Sequence, residues 1–206
     1  MSVSFKTTVT DVTMSSAKLS CTVSGAGSMK VVSCGFQIHV DNGYGGSRMT
    51  KFLAEHGEHI KCELEDSSFS YECTGCKQGI LISARPYLMG EKEEFYGEPF
   101  MVTIKTEQDY APTVSDLKID SITIDSANLS AVVLASDSSY PVLETGFKYR
   151  PKHGDVSKTI KCTPDTKGKI TAKLEGLGPG VDYVVWAYAS CSISGTFKFD
   201  SFSTHG

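Results

Sequence analysis

Apolar and polar residues alternate along several short stretches of the chain, which is the period of a β-strand with one buried face. In residues 182–190, DYVVWAYAS, positions 183, 185 and 187 alternate with Val184, Trp186 and Tyr188. Residues 127–131 and 147–150 alternate in the same way. Gly, Asp and Asn interrupt these stretches about every 10 residues, and no stretch has the spacing of an amphipathic helix. The pattern predicts an all-β chain of short strands.

The sequence contains an internal repeat, so that this pattern occurs twice along the chain. Five segments of the first half recur in order in the second: VTDVTMSSAKLSCTVS with IDSITIDSANLSAVVL, CGFQIHV with TGFKYRP, HIKC with TIKC, FSYECTGC with ITAKLEGL, and ISARPY with YVVWAY. The repeat is too long for a solenoid unit, so each copy is expected to be a complete domain. We predict a domain at residues 1–107, a short stiff linker at 108–112, and a second domain at 113–206.

The segment LEGLGPGVDY, residues 174–183, indicates which kind of domain this is. About seven short strands in about 100 residues are typical of an immunoglobulin-like β-sandwich. In such sandwiches a tyrosine near the start of the sixth strand hydrogen-bonds back to the backbone, an arrangement called the tyrosine corner. We predict that Leu177 enters the core, that Pro179 and Gly180 turn the chain, and that Tyr183 makes this hydrogen bond.

The second copy resembles a fibronectin type III-like domain, in the version common in surface proteins of Bacteroidetes. It carries the motifs of that version in order: SANL at 126–129, GFKY at 146–149, LGPGVDY at 177–183 and YVVWAYA at 183–189. The resemblance implies two consecutive immunoglobulin-like, fibronectin type III-like β-sandwiches of about seven strands each. The first copy has Cys76 and Ile82 in place of Leu177 and Tyr183, so it lacks the corner hydroxyl.

Charge excludes two classes of partner. The chain of 206 residues has a net charge of −4, and residues 1–106 and 107–206 each carry 10 basic and 12 acidic side chains. Neither half has the basic excess that binding to nucleic acid or to an anionic membrane requires. No apolar stretch approaches the roughly 20 residues of a membrane span, so we predict no membrane insertion. The opening residues, MSVSFKTTVTDV, are not typical of a signal peptide. Either the protein is cytosolic or a leader was removed from an exported chain, and we expect the second.

Five of the seven cysteines lie in the first copy, and Cys73-x-x-Cys76 is a spacing used in zinc and redox sites. A structural zinc site usually needs a second such pair, and none follows. Cys73 and Cys76 align with Leu174 and Leu177, and free cysteine behaves as a small buried apolar residue. We therefore expect core thiols, with a disulfide as the first alternative and a metal site as the second.

No group of residues has the composition of a catalytic site. The pair His56 and His59 is expected in a loop or at a strand edge, where the two rings diverge. The acidic residues Glu91, Glu93 and Glu94 fall in a predicted hairpin and are expected to be solvated. No glycine-rich phosphate loop is present. We predict that the chain is not an enzyme and holds neither a cofactor nor a metal.

The candidate binding site consists of aromatic and cationic side chains on one sheet face. If Tyr183 faces the core, then Trp186 and Tyr188 face outward, beside Lys148 and Arg150 of the neighbouring third strand. Exposed aromatic patches bind glycans or proteins, whereas the alternative is that the cationic side chains merely cover the indole. The corresponding outward set in the first copy is Gln37, His39, Arg85 and Tyr87.

These observations lead to a hypothesis about function. We expect a monomeric, non-enzymatic protein at the cell surface or anchored to the outer membrane, which acts in adhesion or presentation by contacting glycans or other proteins. One alternative is a carbohydrate-binding subunit of a glycan-uptake system. The other is a structural stalk that holds a partner away from the membrane.

Overall fold

A computed structural model describes residues 2–41 and 49–206 of the chain, which divides into two compact units, Met1–Thr106 and Glu107–Gly206. The first unit contains, in chain order, β1 Ser4–Thr10, β2 Ala17–Ser24, β3 Val31–Asp41, α1 Met49–His56, β4 Glu58–Cys62, β5 Ser68–Cys73, β6 Leu81–Gly90, β7 Glu94–Tyr96 and β8 Phe100–Thr103. The second unit contains a 3-10 helix Glu107–Tyr110, then β9 Thr113–Asp120, β10 Ser126–Leu134, β11 Glu144–Pro151, β12 Lys158–Lys161, β13 Lys169–Glu175, β14 Asp182–Ser190 and β15 Gly195–Ser203.

Each unit is a sandwich of two antiparallel sheets. The second unit has the sheets β13-β10-β9 and β12-β11-β14-β15, and the first has β1-β2-β5 and β4-β3-β6-β7, with β8 pairing with the other end of β6. Strand for strand, this is the same order in both units, and it is the order of a fibronectin type III-like fold. The prediction of two consecutive all-β, immunoglobulin-like sandwiches is therefore confirmed.

The glycine of each repeated Gly-Phe pair shows why the two copies keep the same geometry. A Cβ atom at Gly35 would lie 1.9 Å from the Ile60 carbonyl oxygen, and one at Gly146 would lie 2.1 Å from that of Ile160. Since no side chain fits at those distances, only glycine lets β3 and β11 approach β4 and β12 there. The phenylalanines that follow, Phe36 and Phe147, are fully buried in the two cores.

The tyrosine corner forms as predicted in the second unit. The backbone N–H of Gly178 donates a hydrogen bond of 2.8 Å to the Tyr183 hydroxyl, while the Tyr183 ring stacks on Phe202 with centroids 5.5 Å apart. Thr204 completes the corner by donating to the Gly178 carbonyl and accepting from the Val181 N–H. The hydroxyl of Tyr183 is thus an acceptor for a backbone donor. In the first unit Ile82 occupies the tyrosine position and is fully buried.

Pro86 explains why the edge strand beside β6 in the first unit differs from the edge strand beside β14 in the second. It lies in β6 at the place of Ala187 in β14, and it has no N–H to donate to the next strand. The next strand is accordingly interrupted, since β7 pairs with Tyr87–Met89 and β8 pairs with Leu81–Ala84. In the second unit β15 pairs with β14 without interruption over all nine residues.

The segment predicted as a linker, residues 108–112, lies within the second unit. Tyr110 is buried, and its ring packs on Tyr140 with centroids 4.8 Å apart. The Cys191 thiol contacts the Tyr110 carbonyl, and the Ser136 hydroxyl donates to the Ala111 carbonyl. These contacts fix the segment against the sandwich of the second unit. The main anchor is the Tyr110 ring, which lies three residues before β9 and packs on that sandwich.

A helix, α1, occupies a position where the sequence analysis predicted only strands and loops. Met49 and Leu53 lie one turn apart on its buried side, and Gly57 follows its last residue. A Cβ atom at Gly57 would lie 2.5 Å from the Leu53 carbonyl oxygen and 2.7 Å from the Cγ atom of Gln37, so glycine is required where the chain leaves the helix and returns to the sheet. The helix packs on β3 and β6.

The packing of residues 107–112 predicts that the second unit begins at Glu107. A fragment spanning 107–206 should unfold cooperatively, since a sandwich of about 100 residues has its own core. A fragment spanning 113–206 should also fold but be less stable by about 2 kcal/mol, because it lacks the buried Tyr110 ring. Denaturant titration measures both values. Tyr110→Ala in the longer fragment is the control and should reproduce most of the loss; equal stability of the two fragments would contradict the boundary.

The corner hydrogen bond predicts the effect of Tyr183→Phe. The change leaves the Gly178 N–H without its acceptor, so the free energy of unfolding should fall by about 1–2 kcal/mol in denaturant titrations. Tyr149→Phe is the matched control, because Tyr149 is equally buried and its hydroxyl makes no hydrogen bond among the described residues. That change should alter stability by less than about 0.5 kcal/mol. Equal effects of the two changes would contradict the assigned role of the Tyr183 hydroxyl.

Candidate functional site

The four residues predicted as a binding site lie together on the outer face of the second unit. Lys148 of β11 pairs directly with Trp186 of β14, and Arg150 and Tyr188 lie two residues further along the same strands. Their strand neighbours Tyr149, Val185 and Ala187 are buried in the core. The alternation that starts at Tyr183 therefore sets the direction of every side chain on this face.

The four side chains line an open groove of about 580 Å³. Its remaining wall is formed by residues from the turn after β11, the start of β11 and the start of β15, among them Glu144, Asp155, Ser157, Thr196 and Phe197. An aromatic floor with a few polar groups of both charges at its rim is typical of a ligand site.

Arg150 lies over the indole of Trp186, with its Cζ atom 5.6 Å from the ring centroid. Its Nη1 atom donates to the carbonyl oxygens of Pro151, Lys152 and Gly154, the last at 2.6 Å. These bonds hold the guanidinium in one place above the ring. Trp186 therefore faces outward but is half-buried, because the Arg150 side chain covers part of its ring.

A charged network surrounds the second aromatic ring. The Tyr188 hydroxyl donates to Glu144 at 3.0 Å, and the Lys161 ammonium contacts the other oxygen of that carboxylate at 3.1 Å. The Lys148 ammonium lies 5.2 Å from the centroid of the Tyr188 ring. Lys161, and then the Tyr188 hydroxyl, hold the pKa of Glu144 below its usual value. Burial, and then the hydrogen bond to Glu144, raise the pKa of Tyr188 to about 12, so the phenol stays protonated.

The part of the site that β15 supplies was not predicted from the sequence. Phe197 pairs with Tyr188 and Phe199 pairs with Trp186, and the two phenylalanines are 64% and 67% exposed. Three phenylalanines lie in this strand, at positions 197, 199 and 202, and they do not share one parity. Only the pairing of Phe202 with Tyr183 shows which of them faces the core.

The corresponding residues of the first unit do not form an exposed set, contrary to the prediction. Gln37, Arg85 and Tyr87 are buried, at 2%, 7% and 2% of their full exposure. Helix α1 covers part of this face: the Phe52 ring lies 4.6 Å from that of His39. Aromatic rings of β4 and β7 cover the rest of it.

Arg85 is accommodated inside this cover, and no carboxylate among residues 2–41 and 49–206 forms an ion pair with it. Its Nε atom donates to the Gln37 side chain at 2.7 Å, and its guanidinium lies 4.2 Å from the centroid of the Tyr96 ring. Burial lowers the pKa of Arg85. The repeat places Arg85 at the position of Trp186, so a cationic side chain occupies the position that an aromatic ring has in the second copy.

The two histidines lie in different elements with different neighbours. His56 is the last residue of α1 and packs on Phe52 at 4.9 Å, whereas His59 lies in β4 and contacts the Tyr87 ring at 5.0 Å. Within residues 2–41 and 49–206, no group of three or more His, Cys, Asp or Glu side chains could hold a metal ion.

All seven cysteines are free thiols. Cys73 is buried, as predicted from its alignment with Leu174, but Cys76 is only half-buried. Burial raises the pKa of the Cys73 thiol to about 11 and that of Cys21 to about 12. Burial also raises the pKa of Cys76. Thiols with raised pKa values react slowly at neutral pH, because the thiolate is the nucleophile.

Another depression, of about 910 Å³, lies on the outer face of the β1-β2-β5 sheet and holds none of the predicted residues. Hydroxyl and lysine side chains dominate its lining, including Lys6, Thr8, Lys18, Ser20, Thr22 and Ser70. It has the composition of a solvated strand surface rather than of a ligand site.

Comparison with known proteins yields structural neighbours alone. No family model matches the chain, and no curated protein matches it. A two-domain fibronectin type III segment from chicken tenascin is 16% identical, covers 97% of this chain and 98% of its own, and has a TM-score of 0.39. A solved structure described as "Myokine structure" is 18% identical, covers 47% of this chain and 98% of its own, and has a TM-score of 0.37. The strand order and register described above carry the fold assignment. Among the described residues, no helix is long and apolar enough to cross a membrane.

The buried thiols predict slow labelling of the folded protein. At pH 8 an alkylating reagent should modify Cys21 and Cys73 at least about tenfold more slowly than it modifies the unfolded chain, because few of these thiols are ionised. Peptide mass spectrometry gives the rate at each position, and the half-buried Cys76 is the internal reference, expected to react faster than Cys73. A Cys73–Cys76 disulfide, or zinc bound to the native protein, would contradict the core role of these thiols.

Proposed function

We propose that the chain is a non-enzymatic binding module that contacts glycans through the outer face of its second unit. The observation that carries this proposal is the groove whose floor holds Trp186 and Tyr188 with Lys148 and Arg150 beside them. In this proposal the two sandwiches are the scaffold, and the face composed of β11, β14 and β15 is the functional surface.

The composition of the groove favours a glycan over an apolar ligand. The apolar face of a sugar ring stacks on an aromatic ring, whereas its hydroxyl groups need donors and acceptors around the rim. The Glu144 carboxylate and the Lys148 ammonium supply these groups on either side of Tyr188. The ammonium and the guanidinium on one rim also favour glycans that carry a carboxylate.

We further propose that the protein acts in adhesion or presentation at the surface of a cell, after export and with an anchor at the outer membrane. The support is the resemblance of the second copy to surface domains of Bacteroidetes, through the motifs at 126–129, 146–149 and 177–189. A carbohydrate-binding subunit of a glycan-uptake system uses the same groove and differs in its partner proteins.

The alternative of a structural stalk is favoured by one specific observation. Arg150 already covers the Trp186 ring and is fixed by three carbonyl oxygens, so its stem and guanidinium shield part of the apolar surface. In a stalk these residues would only stabilise the sheet, and no ligand would compete with them.

Trp186 is the single tryptophan of the chain and lines the groove, so its fluorescence reports binding there. A glycan array on the full chain identifies a bound oligosaccharide, and titration with that oligosaccharide should shift the Trp186 emission. Lys148→Ala should weaken its affinity about tenfold, because the variant loses one charge-assisted contact. Lys158→Ala is the matched control: that lysine lies on β12, outside the groove, and the variant should bind like the native chain.

Trp186→Ala separates the binding role from the stalk role. It should abolish binding on the array while lowering the free energy of unfolding by about 1–2 kcal/mol, less than the roughly 3–5 kcal/mol of a fully buried tryptophan. If the native chain binds no glycan on the array, or if Trp186→Ala binds as tightly as the native chain, the groove is not a glycan site and the proposal is overturned.

A further inference from the structure

The last strand of the chain, β15, is an open sheet edge. It pairs with β14 on one side, and no strand among the described residues pairs with its other side. It runs for nine residues without proline or irregularity, and it exposes Phe197 and Phe199. Natural proteins normally shorten, interrupt, cover or charge such an edge. The first unit splits its strand into β7 and β8, whereas β15 is continuous and carries only the charges of Lys198 and Asp200.

The turn between β14 and β15 fixes which backbone groups of this edge are free. The Cys191 N–H donates to the Ser194 carbonyl, and the Thr204 N–H donates to the Val181 carbonyl. Hydrogen-bonded positions alternate along an antiparallel pair, so the even-numbered residues of β15 bond to β14. The N–H and C=O groups of Phe197 and Phe199 therefore point away from the sheet and are available to another strand. The backbone of Ser201 points the same way, but its N–H donates to the Asp200 carboxylate at 2.8 Å, so this bond has to open when a second strand pairs there.

The side chains of the edge are self-complementary. A second β15 can lie antiparallel to the first with the two Phe199 residues opposite each other, and all nine residues are then paired. In this register the outward-pointing backbone N–H and C=O groups of one strand lie opposite those of the other. In this register Lys198 lies opposite Asp200 of the second copy, and Asp200 lies opposite Lys198 of the second copy. A register centred on Lys198 or on Asp200 places like charges opposite each other, which is unfavourable.

We propose that two copies of the chain associate through β15, in an isologous contact centred on Phe199. Within one copy, Lys198 and Asp200 are exposed and make no ion pair among the described residues. In the dimer they form two reciprocal ion pairs at positions without backbone bonds, where cross-strand side chains are closest. The two Phe199 rings lie side by side at the axis, on the outer face.

The contact goes beyond the proposed function and departs from the expectation of a monomer. It joins two four-stranded sheets into one continuous sheet, and it places both grooves on the same face of that sheet. Two grooves on one face would increase the affinity for a repetitive ligand through avidity, without any new contact inside either groove.

The test is sedimentation velocity on the full chain from about 10 µM to about 1 mM, since a contact of this size is expected to be weak, with a Kd on the order of 0.1 mM. The single variants Lys198→Asp and Asp200→Lys each place like charges across the axis and should weaken the dimer about tenfold or more. Lys158→Asp, at the opposite edge of the same sheet, is the matched control and should dimerise like the native chain. Thermal unfolding checks that each variant is folded.

Mixing the two single variants distinguishes this register from any other contact. In the mixed pair one chain supplies a carboxylate at positions 198 and 200 and the other supplies an ammonium group at both, so opposite charges again meet across the axis. The mixture should therefore form a heterodimer with an affinity within about threefold of the native dimer. A native chain that stays monomeric at about 1 mM would overturn the proposal. So would a dimer that both single variants leave intact, or a mixture that fails to recover association.

Discussion

The burial of Tyr183 sets the geometry of the second unit's outer surface, and the hydrogen bond from the Gly178 N–H to its hydroxyl holds that side chain in place. It fixes where β14 enters its sheet, and the alternation along that strand then assigns every following residue to the core or to solvent. Trp186 and Tyr188 face outward because Tyr183 faces inward. The pairing of β14 with β11 and β15 extends the same assignment to Lys148 and Phe197.

The two copies use one scaffold in two different ways. In the first unit α1 and its neighbouring aromatic rings cover the outer face, and Arg85 is buried between Gln37 and Tyr96. In the second unit the equivalent face is a groove. The edges differ as well, because Pro86 interrupts the strand beside β6, whereas β15 is continuous. The first unit therefore has a covered outer face and an interrupted edge strand on this sheet, and the second has an open face and a continuous edge strand.

The period-2 pattern and the internal repeat were sufficient to predict the sandwich, the corner and the direction of Trp186, because each depends on local order along one strand. The remaining features depend on contacts between distant segments. Helix α1 is short, and its amphipathic pattern reduces to Met49 and Leu53, so only its packing on β3 and β6 reveals it. Phe197 was missed because its parity conflicts with that of Phe202, and Arg150 was not expected to be fixed by the carbonyls of its own turn.

Hydroxyl-radical footprinting of the native chain tests the central claim, that the outer face is open in the second unit and covered in the first. Tyr87 and Tyr188 are the informative pair, since they occupy the same repeat position and have the same intrinsic reactivity. The account predicts rapid modification of Tyr188, Phe197 and Phe199, with Tyr87 protected as strongly as the buried Phe36. Modification of Tyr87 at the rate of Tyr188 would show that both faces are equally accessible and would contradict the account.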